Sequence, residues 1–370
     1  MQESYKISPR QLMMLVTLVT IGDSVLVLPG MAAGLAKQDA WISVLIGLVA
    51  GLLNIVLLIA VGKLYPNQSF FTFVDQTIGR VPGTIVTLSF ISYTLFSAGA
   101  HVMEIGDFVE THLLITTPRF AIQLLFIIVI MFGVRLGLQT VAKSAEIYFA
   151  WFFFFFILLM LFLLPQAEVS RIQPVFENGW KPILQGSAAA TAFPYSELVI
   201  FMAVLPFVSP IQKRMRSFLM GTLLGGVVLF IIMLMCILVL GADQTARHYY
   251  PTYVLVKQLK LGDFIQRLEA IIAVIWFIAV SVKITLYFLF FHLGICHVFR
   301  IQNFSVLILP YTILLMVMST IFSPNIVVFG NIISKYWPFY DFTYSFGVPL
   351  LLLCAYTIRK RWLDQNRRAE

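Results

Sequence analysis

Stretches of about twenty apolar residues recur from one end of this chain to the other, and nothing constrains its fold more. A helix rises about 1.5 Å per residue, so about 20 apolar residues cross the hydrocarbon core of a bilayer. Ten segments qualify: 10–35, 41–62, 84–110, 119–134, 143–164, 183–207, 216–240, 263–290, 304–322 and 339–358. Glycine, proline and charge separate them. Composition agrees, with 60% of the 370 residues hydrophobic and 11% charged, against about 25% charged in a soluble domain. The expected fold is an all-α membrane protein, one polytopic domain over residues 1–370. The polar residues 1–8 precede an apolar run longer than the about 7–15 residues of a signal-peptide core, so that run is read as the first span.

The net charge of +8 does not mark a nucleic-acid binder, because no basic cluster stands outside the membrane flanks. Lysines and arginines divide unevenly instead. Lys6, Arg10, Lys63, Arg80, Arg135, Lys143, Lys213, Arg214, Arg216, Arg300, Arg359, Lys360 and Arg361 fall on one side of the ten spans, and fewer fall on the other. That bias places both termini in the cytoplasm, as an even number of spans requires. In the connection 63–83, Phe70, Phe71, Phe73, Val74 and Ile78 have the spacing of an amphipathic helix lying in the cytoplasmic interface. Connections 166–181 and 241–262 lie outside, with Tyr249, Tyr250 and Pro251 expected at headgroup depth.

Two spans are flawed. Segment 183–207 carries Ala188-Ala-Ala-Thr-Ala-Phe-Pro-Tyr-Ser-Glu197, and the first segment carries Ile21-Gly22-Asp23-Ser24 with Pro29-Gly30 behind it. Proline removes a helical hydrogen bond, and freed backbone groups are tolerated in hydrocarbon only inside protein or a wet cavity. Interrupted helices in matching places of two halves point to a midplane binding site. Helices 1 and 6 are therefore expected to be broken, each followed by four spans. This is a five-plus-five inverted repeat, with halves at about 10–164 and 183–358 and a short tail at 359–370.

Charges and polar groups inside these spans need reasons, since one at a helix centre costs about 2.5–3.5 kcal/mol on insertion scales. Gly22, Asp23 and Ser24 form the first break; Thr191, Phe193, Tyr195 and Glu197 surround the second. Half-helix N–H groups suit a carboxylate and exposed carbonyls an ammonium, so the pair suits a zwitterionic amino acid. Asp23 would otherwise be a local cap, and Glu197 a packing contact. Tyr93, Ser97, His101 and Glu104 share one helix face, which puts Ser97 and His101 opposite the breaks unless the histidine is simply hydrogen-bonded structure. Asp107 and Glu110 are expected to be solvated. Glu269 and Lys283, candidates for ion or proton coupling, lie about 21 Å apart along one helix; Lys283 would otherwise snorkel toward the cytoplasm. Cys236, Cys296 and Cys354 read as buried small hydrophobes, and the phenylalanines at 152–156 as lipid-facing or packing bulk. No phosphate loop or metal spacing appears among these residues or the five histidines, so no enzyme, metal or cofactor is expected.

Phe193-Pro194-Tyr195-Ser196-Glu197 followed by Leu205-Pro206-Phe207 resembles the signature of the spore germination permeases, the B subunits of endospore germinant receptors in the amino acid–polyamine–organocation superfamily. Supporting matches are Pro174, Gly179, Pro182-Ile183-Leu184, Gly186, Gly22-Asp23-Ser24, Leu28-Pro29, Trp276 and Lys283. The resemblance runs from Ile7 to about Arg361. It implies an amino-acid-permease-like fold and a subunit that recognises a small nutrient, often an amino acid. It also implies partners, an A subunit and a lipoprotein C subunit, and residence in the spore inner membrane. Members commonly carry an uncharged residue where Asp23 stands. A proton- or sodium-coupled amino-acid transporter is the other reading of the same fold.

Overall fold

The computed structural model describes residues 6–66, 68–258, 269–301, 304–322 and 325–369, with side chains left aside at 269, 304, 305 and 362–369. Among these residues the only β contact is an isolated bridge between Ile7 and Val208. The helices are α1 Pro9–Ile21, α2 Ser24–Ala36, α3 Ala40–Gly62, α4 Phe70–Ile78, α5 Arg80–His112, α6 Arg119–Leu136, α7 Leu138–Leu163, α8 Trp180–Tyr195 and α9 Phe201–Val204. Then come α10 Arg214–Met235, α11 Ala242–Arg247, α12 Pro251–Lys257, α13 Glu269–Phe299, α14 Ile308–Ile321, α15 Ile326–Phe342 and α16 Val348–Ala369. Eight helical stretches are long and apolar enough to cross a membrane, and α1 and α14 are shorter apolar helices. The expected segments 84–110, 119–134, 143–164, 183–207, 216–240 and 339–358 each fall within one of these stretches; 10–35 divides between α1 and Ser24–Gly62, which also holds 41–62, and residues 263–268 of the eighth segment lie outside the described residues.

The two breaks are real, and their causes differ. A reciprocal cap between Ser8 and Gln11, with Pro9 at the first turn, starts α1. It stops at Gly22, whose φ of 32° only glycine adopts cheaply. The Asp23 carbonyl then accepts the first hydrogen bonds of α2, from Leu26 and Val27. In the sixth segment α8 runs through Pro194 and ends one residue later. A 3₁₀ stretch, Ser196–Ile200, follows, then the four-residue α9 and a second 3₁₀ turn at Leu205–Phe207. The break therefore lies just after the proline, where Glu197 stands.

The helices around the breaks pack in an exchanged pattern. α1 packs most extensively on α10, and α3 on α8. Small residues make both contacts close, as they do where lipid supplies no hydrophobic drive between helices. A Cβ at Gly221 on α10 would lie 2.6 Å from the Met13 carbonyl oxygen, and one at Gly47 on α3 would lie 2.7 Å from Ala190 Cβ. A hydroxyl crosses each seam: Thr17 donates to the Gly221 carbonyl (3.1 Å) and Ser43 to the Ile183 carbonyl (2.9 Å).

Four expectations need correction. The helix at Phe70–Ile78 exists, but Phe70, Phe71, Phe73 and Val74 are buried against protein, with Phe70 and Phe71 on Phe290 and Phe73 near Tyr356. Asp107 is buried and bound by Arg119 at 3.0 Å; Arg119 also holds Glu110 at 2.8 Å. Arg119 opens the next helix, so its proximity is a product of the turn and not of the α5 face. Tyr249 and Tyr250 fold inward over the bundle, and Tyr250 is buried beside Phe108. Cys236 is buried, but Cys354 is exposed. The phenylalanine run divides as expected, Phe152 and Phe156 packing inside and Phe154 facing out.

Both ends of the described chain lie at one end of the bundle. The amide and carbonyl of Ile7 bond Phe207 and Ser209 (3.0 Å each), and the Arg359 guanidinium bonds the Gln76 carbonyl. Arg214 donates to the carbonyls of Val208, Pro206 and Pro66, and Tyr65 to that of Met202 (3.0 Å). The same face is thus held closed by backbone and guanidinium bonds around the end of the sixth segment.

Candidate functional site

Where the two breaks meet, they and two helices, α5 and α13, contribute one ion cluster. Lys283, from the middle of α13, is fully buried, and its ammonium bonds both Asp23 at the first break and Glu197 at the second. His101 Nε2 on α5 approaches Glu197 Oε2 to 3.8 Å. Lys283 does not snorkel: its stem passes beside the α1–α2 break. A Cβ at Gly22 would lie 2.7 Å from Lys283 Cδ and 3.1 Å from its Nζ. Gly22 thus serves twice, once for its backbone angle and once for the space that the lysine crosses. The ligand atoms of Asp23, His101 and Glu197 lie within 4.8 Å of one another, close enough to share one cation. The Lys283 ammonium already supplies that positive charge and bonds both carboxylates, offsetting one of their two negative charges in a medium where an unmatched charge is costly.

Beside the cluster lies a narrow cavity. Its polar wall is Asp23, Ser24, His101, Glu104 and Glu197; its apolar wall includes Phe193, Tyr249, Phe329 and Trp337. Both breaks, α5, α15 and the connection after α10 therefore face one space. A wider and more open cavity lies next to it, and Val27, Met31, Tyr249 and Ile333 wall both. Arg247, His248, Asn331 and Ser334 line its outer part. A pocket with an apolar body and a few convergent polar groups is the usual form of a small-molecule site.

The expected site residues sort clearly. Asp23, Ser24, His101, Phe193 and Glu197 line the cavity. Gly22 stands behind it against Lys283. Ser97 is buried one turn from His101 and outside the wall; Thr191 spends its hydroxyl on the Ser187 carbonyl (2.7 Å). Tyr195 turns the other way, its ring lying where a Gly51 side chain would be and its hydroxyl near Gly226. Glu269 opens α13, and its side chain lies outside the described residues. Tyr249, Phe329, Ile333 and Trp337 had no signal of their own in the sequence, since aromatic and aliphatic residues fill every span.

The fold is the one that secondary transporters share. Three solved structures share the fold, at identities too low to speak for more than it. A nucleobase-cation-symport-1 family transporter, in a closed conformation with bromovinylhydantoin bound, aligns with a TM-score of 0.70 at 10% identity, over 85% of this chain and 72% of that one. A Na⁺-coupled sialic acid symporter in a substrate-bound outward-open state gives 0.66 at 10% identity, over 93% and 80%. MhsT in complex with L-phenylalanine gives 0.62 at 12%, over 95% and 99%.

Within that class the chain belongs to the spore germination protein family of permeases, whose model matches residues 6–327. Spore germination protein KB of Bacillus subtilis is 24% identical over 372 residues, covering 100% of this chain and 99% of that protein. Spore germination protein YndE of the same organism is 25% identical over 365 residues, covering 96% and 98%.

Proposed function

We propose that this protein is the nutrient-recognising membrane subunit of a spore germinant receptor, and that its ligand is a small zwitterion of the amino-acid class. One observation carries the reading: a single cavity is walled by both helix breaks, with Asp23 and Glu197 each tied to the same lysine. A ligand seated there touches both halves of the bundle at once. Lys283 is taken up by Asp23 and Glu197, and Glu104, also in the wall, is left for a ligand ammonium. The start of α2 at Ser24 offers helix N–H groups to a ligand carboxylate. Phe193, Phe329 and Trp337 receive the side chain.

Binding shifts a conformational equilibrium only if one state binds better than the other. A site built across two broken helices supplies that difference, because moving either break opens the cavity. Partner subunits, an A subunit and a lipoprotein C subunit, read the shift. The family membership supports the receptor role and residence in the spore inner membrane; the loop charges support cytoplasmic termini. The exchanged packing of α1 on α10 and α3 on α8 supports ten spans in two related halves, about 10–164 and 183–358.

The testing experiment is germination of spores lacking this gene, scored on single amino acids, sugars and mixtures. Loss of response to one nutrient class is expected, and Glu197→Gln should reproduce it with normal protein levels in the membrane. Normal germination on every nutrient overturns the reading.

The buried ammonium favours a second reading, amino-acid uptake coupled to protons, with Lys283 standing where a transported cation would bind. In that case Lys283→Ala stops uptake into liposomes, whereas a sensor without transport shows no uptake to lose.

A further inference from the structure

Beneath the cavity lies a second buried acid that the nutrient reading does not use. Asp341, near the end of α15, is fully buried, yet it lines none of the cavity wall. One carboxylate oxygen, Oδ1, accepts from the Tyr93 hydroxyl at 2.9 Å; the other, Oδ2, has no hydrogen-bond partner among the described residues. Buried polar atoms left over in this way are rare, and each calls for a reason. A second irregularity adjoins it: Thr343–Gly347 forms a turn of π-helix, a distortion that recurs at functional sites.

The surroundings of Asp341 connect the ion cluster to the end of the bundle that carries both termini. The 3₁₀ stretch Ser196–Ile200, which carries Glu197, packs against α15 and the π-turn after it; Glu197, Lys283 and Asp23 are the charged groups whose fields reach Asp341. Tyr93 on α5, Tyr287 on α13 and Tyr340 and Tyr344 on its own helix complete the titratable set around it. The Tyr93 ring stacks on Tyr344 at 4.5 Å, and the Tyr344 hydroxyl shares a 2.6 Å hydrogen bond with Ser89, which is exposed. Ser89, Tyr93, Ser97 and His101 follow at intervals of four on α5, so one stripe of the helix runs from the exposed serine to the cluster.

We propose that Asp341, with Tyr93 and Tyr344, is a proton-transfer site linking the Lys283 cluster to that end of the bundle. The step moves one proton and breaks only O–H bonds. Tyr93 passes its hydroxyl proton to Asp341 Oδ1 and is reprotonated from the Ser89–Tyr344 side, so the tyrosine ends as it began. Asp341 then gives a proton to Glu197. A neutral Glu197 no longer holds Lys283, which keeps Asp23, and the strap between the two breaks loosens. The proposal goes beyond nutrient recognition and stands without it, since its cargo is the proton itself.

The test is proton flux into liposomes that hold the purified full-length protein and a trapped pH-sensitive dye, after an imposed pH step. Wild type should carry protein-dependent flux, and Asp341→Asn and Tyr93→Phe should each lower it by about tenfold or more, as the loss of a proton carrier does. Asp341→Glu should restore most of it. Ser92→Ala, on the same helix but exposed and bonded only to the Leu88 carbonyl, should leave it unchanged. Tyr93→Phe keeps the ring stack and removes only the hydroxyl, so it decides the question even if Asp341→Asn fails to fold. Flux in wild type no greater than in empty liposomes, or equal flux in wild type and Tyr93→Phe, overturns the proposal. Normal germination on every nutrient by spores lacking the gene, with Tyr93-dependent flux present in liposomes, counts against the nutrient reading alone.

Discussion

Lys283 is the residue whose removal should be felt most, and the size of the effect follows from what it leaves behind. Its side chain is 0% exposed, Glu197 is 1% and Asp23 is 9%. Removing one partner of a buried pair costs about 3–5 kcal/mol, because the other charge stays buried and unmatched. Lys283→Met orphans two carboxylates at once, which puts the loss at the upper end, about 5 kcal/mol. For a chain of this size that is a fall in melting temperature on the order of 10 °C. The triple variant Asp23→Asn/Glu197→Gln/Lys283→Met removes all three charges and keeps nearly the same volume. Replacing a whole buried ion group in this way is often close to neutral, so the triple variant should recover most of what the single one loses. Melting would be followed by tryptophan fluorescence and by the fraction surviving size exclusion after heating, with protein in the same detergent. If Lys283→Met melts within about 1 °C of wild type, or the triple variant is no more stable than the single one, the three side chains do not form one electrostatic unit. The account of the site then fails with them.

Other perturbations separate backbone, packing and ligand roles. Gly22→Leu meets both a positive φ and the Lys283 stem, so it should abolish the nutrient response while membrane levels, read by immunoblot, stay near wild type. Gly51→Val drives a side chain into the Tyr195 ring and should cost about 1–3 kcal/mol by overpacking, visible as a lower melting temperature. Trp337→Ala widens the cavity, and thermal-shift profiles across the amino acids should move toward bulkier side chains. Arg119→Ala leaves Asp107 buried without its cation and should cost about 1.5 kcal/mol, the low end for a hydrogen bond to a charged group.

What the sequence made legible follows the range over which each signal acts. Helix length, the capping of α1 and the two breaks are local: Ser8-Pro9, Gly22 and Pro194 act on their own backbone within a turn or two. Even so, Pro194 was legible only as a disturbance. Its helix continues one residue past it, and the irregular stretch falls on Ser196–Ile200, whereas the bond the proline removes is the one to the Ala190 carbonyl in the turn before it. Period-four spacing likewise put Tyr93, Ser97, His101 and Glu104 on one face, although only two of the four reach the cavity. The ion cluster is another matter. Asp23 and Lys283 are 260 positions apart, and no spacing along α13 tells whether that lysine reaches water or another carboxylate. The answer depends on how closely the first break passes α13, and hence on Gly22, where a missing side chain is itself the signal. Tyr195 makes the converse point. It stands in the motif between Phe193 and Glu197, yet two residues along a helix turn a side chain by about 200°, so those two face the cavity while its own ring fills the groove offered by Gly51 and Gly226. A motif therefore gathers residues that the fold sends to different duties, and the glycines opposite them decide which duty each one takes.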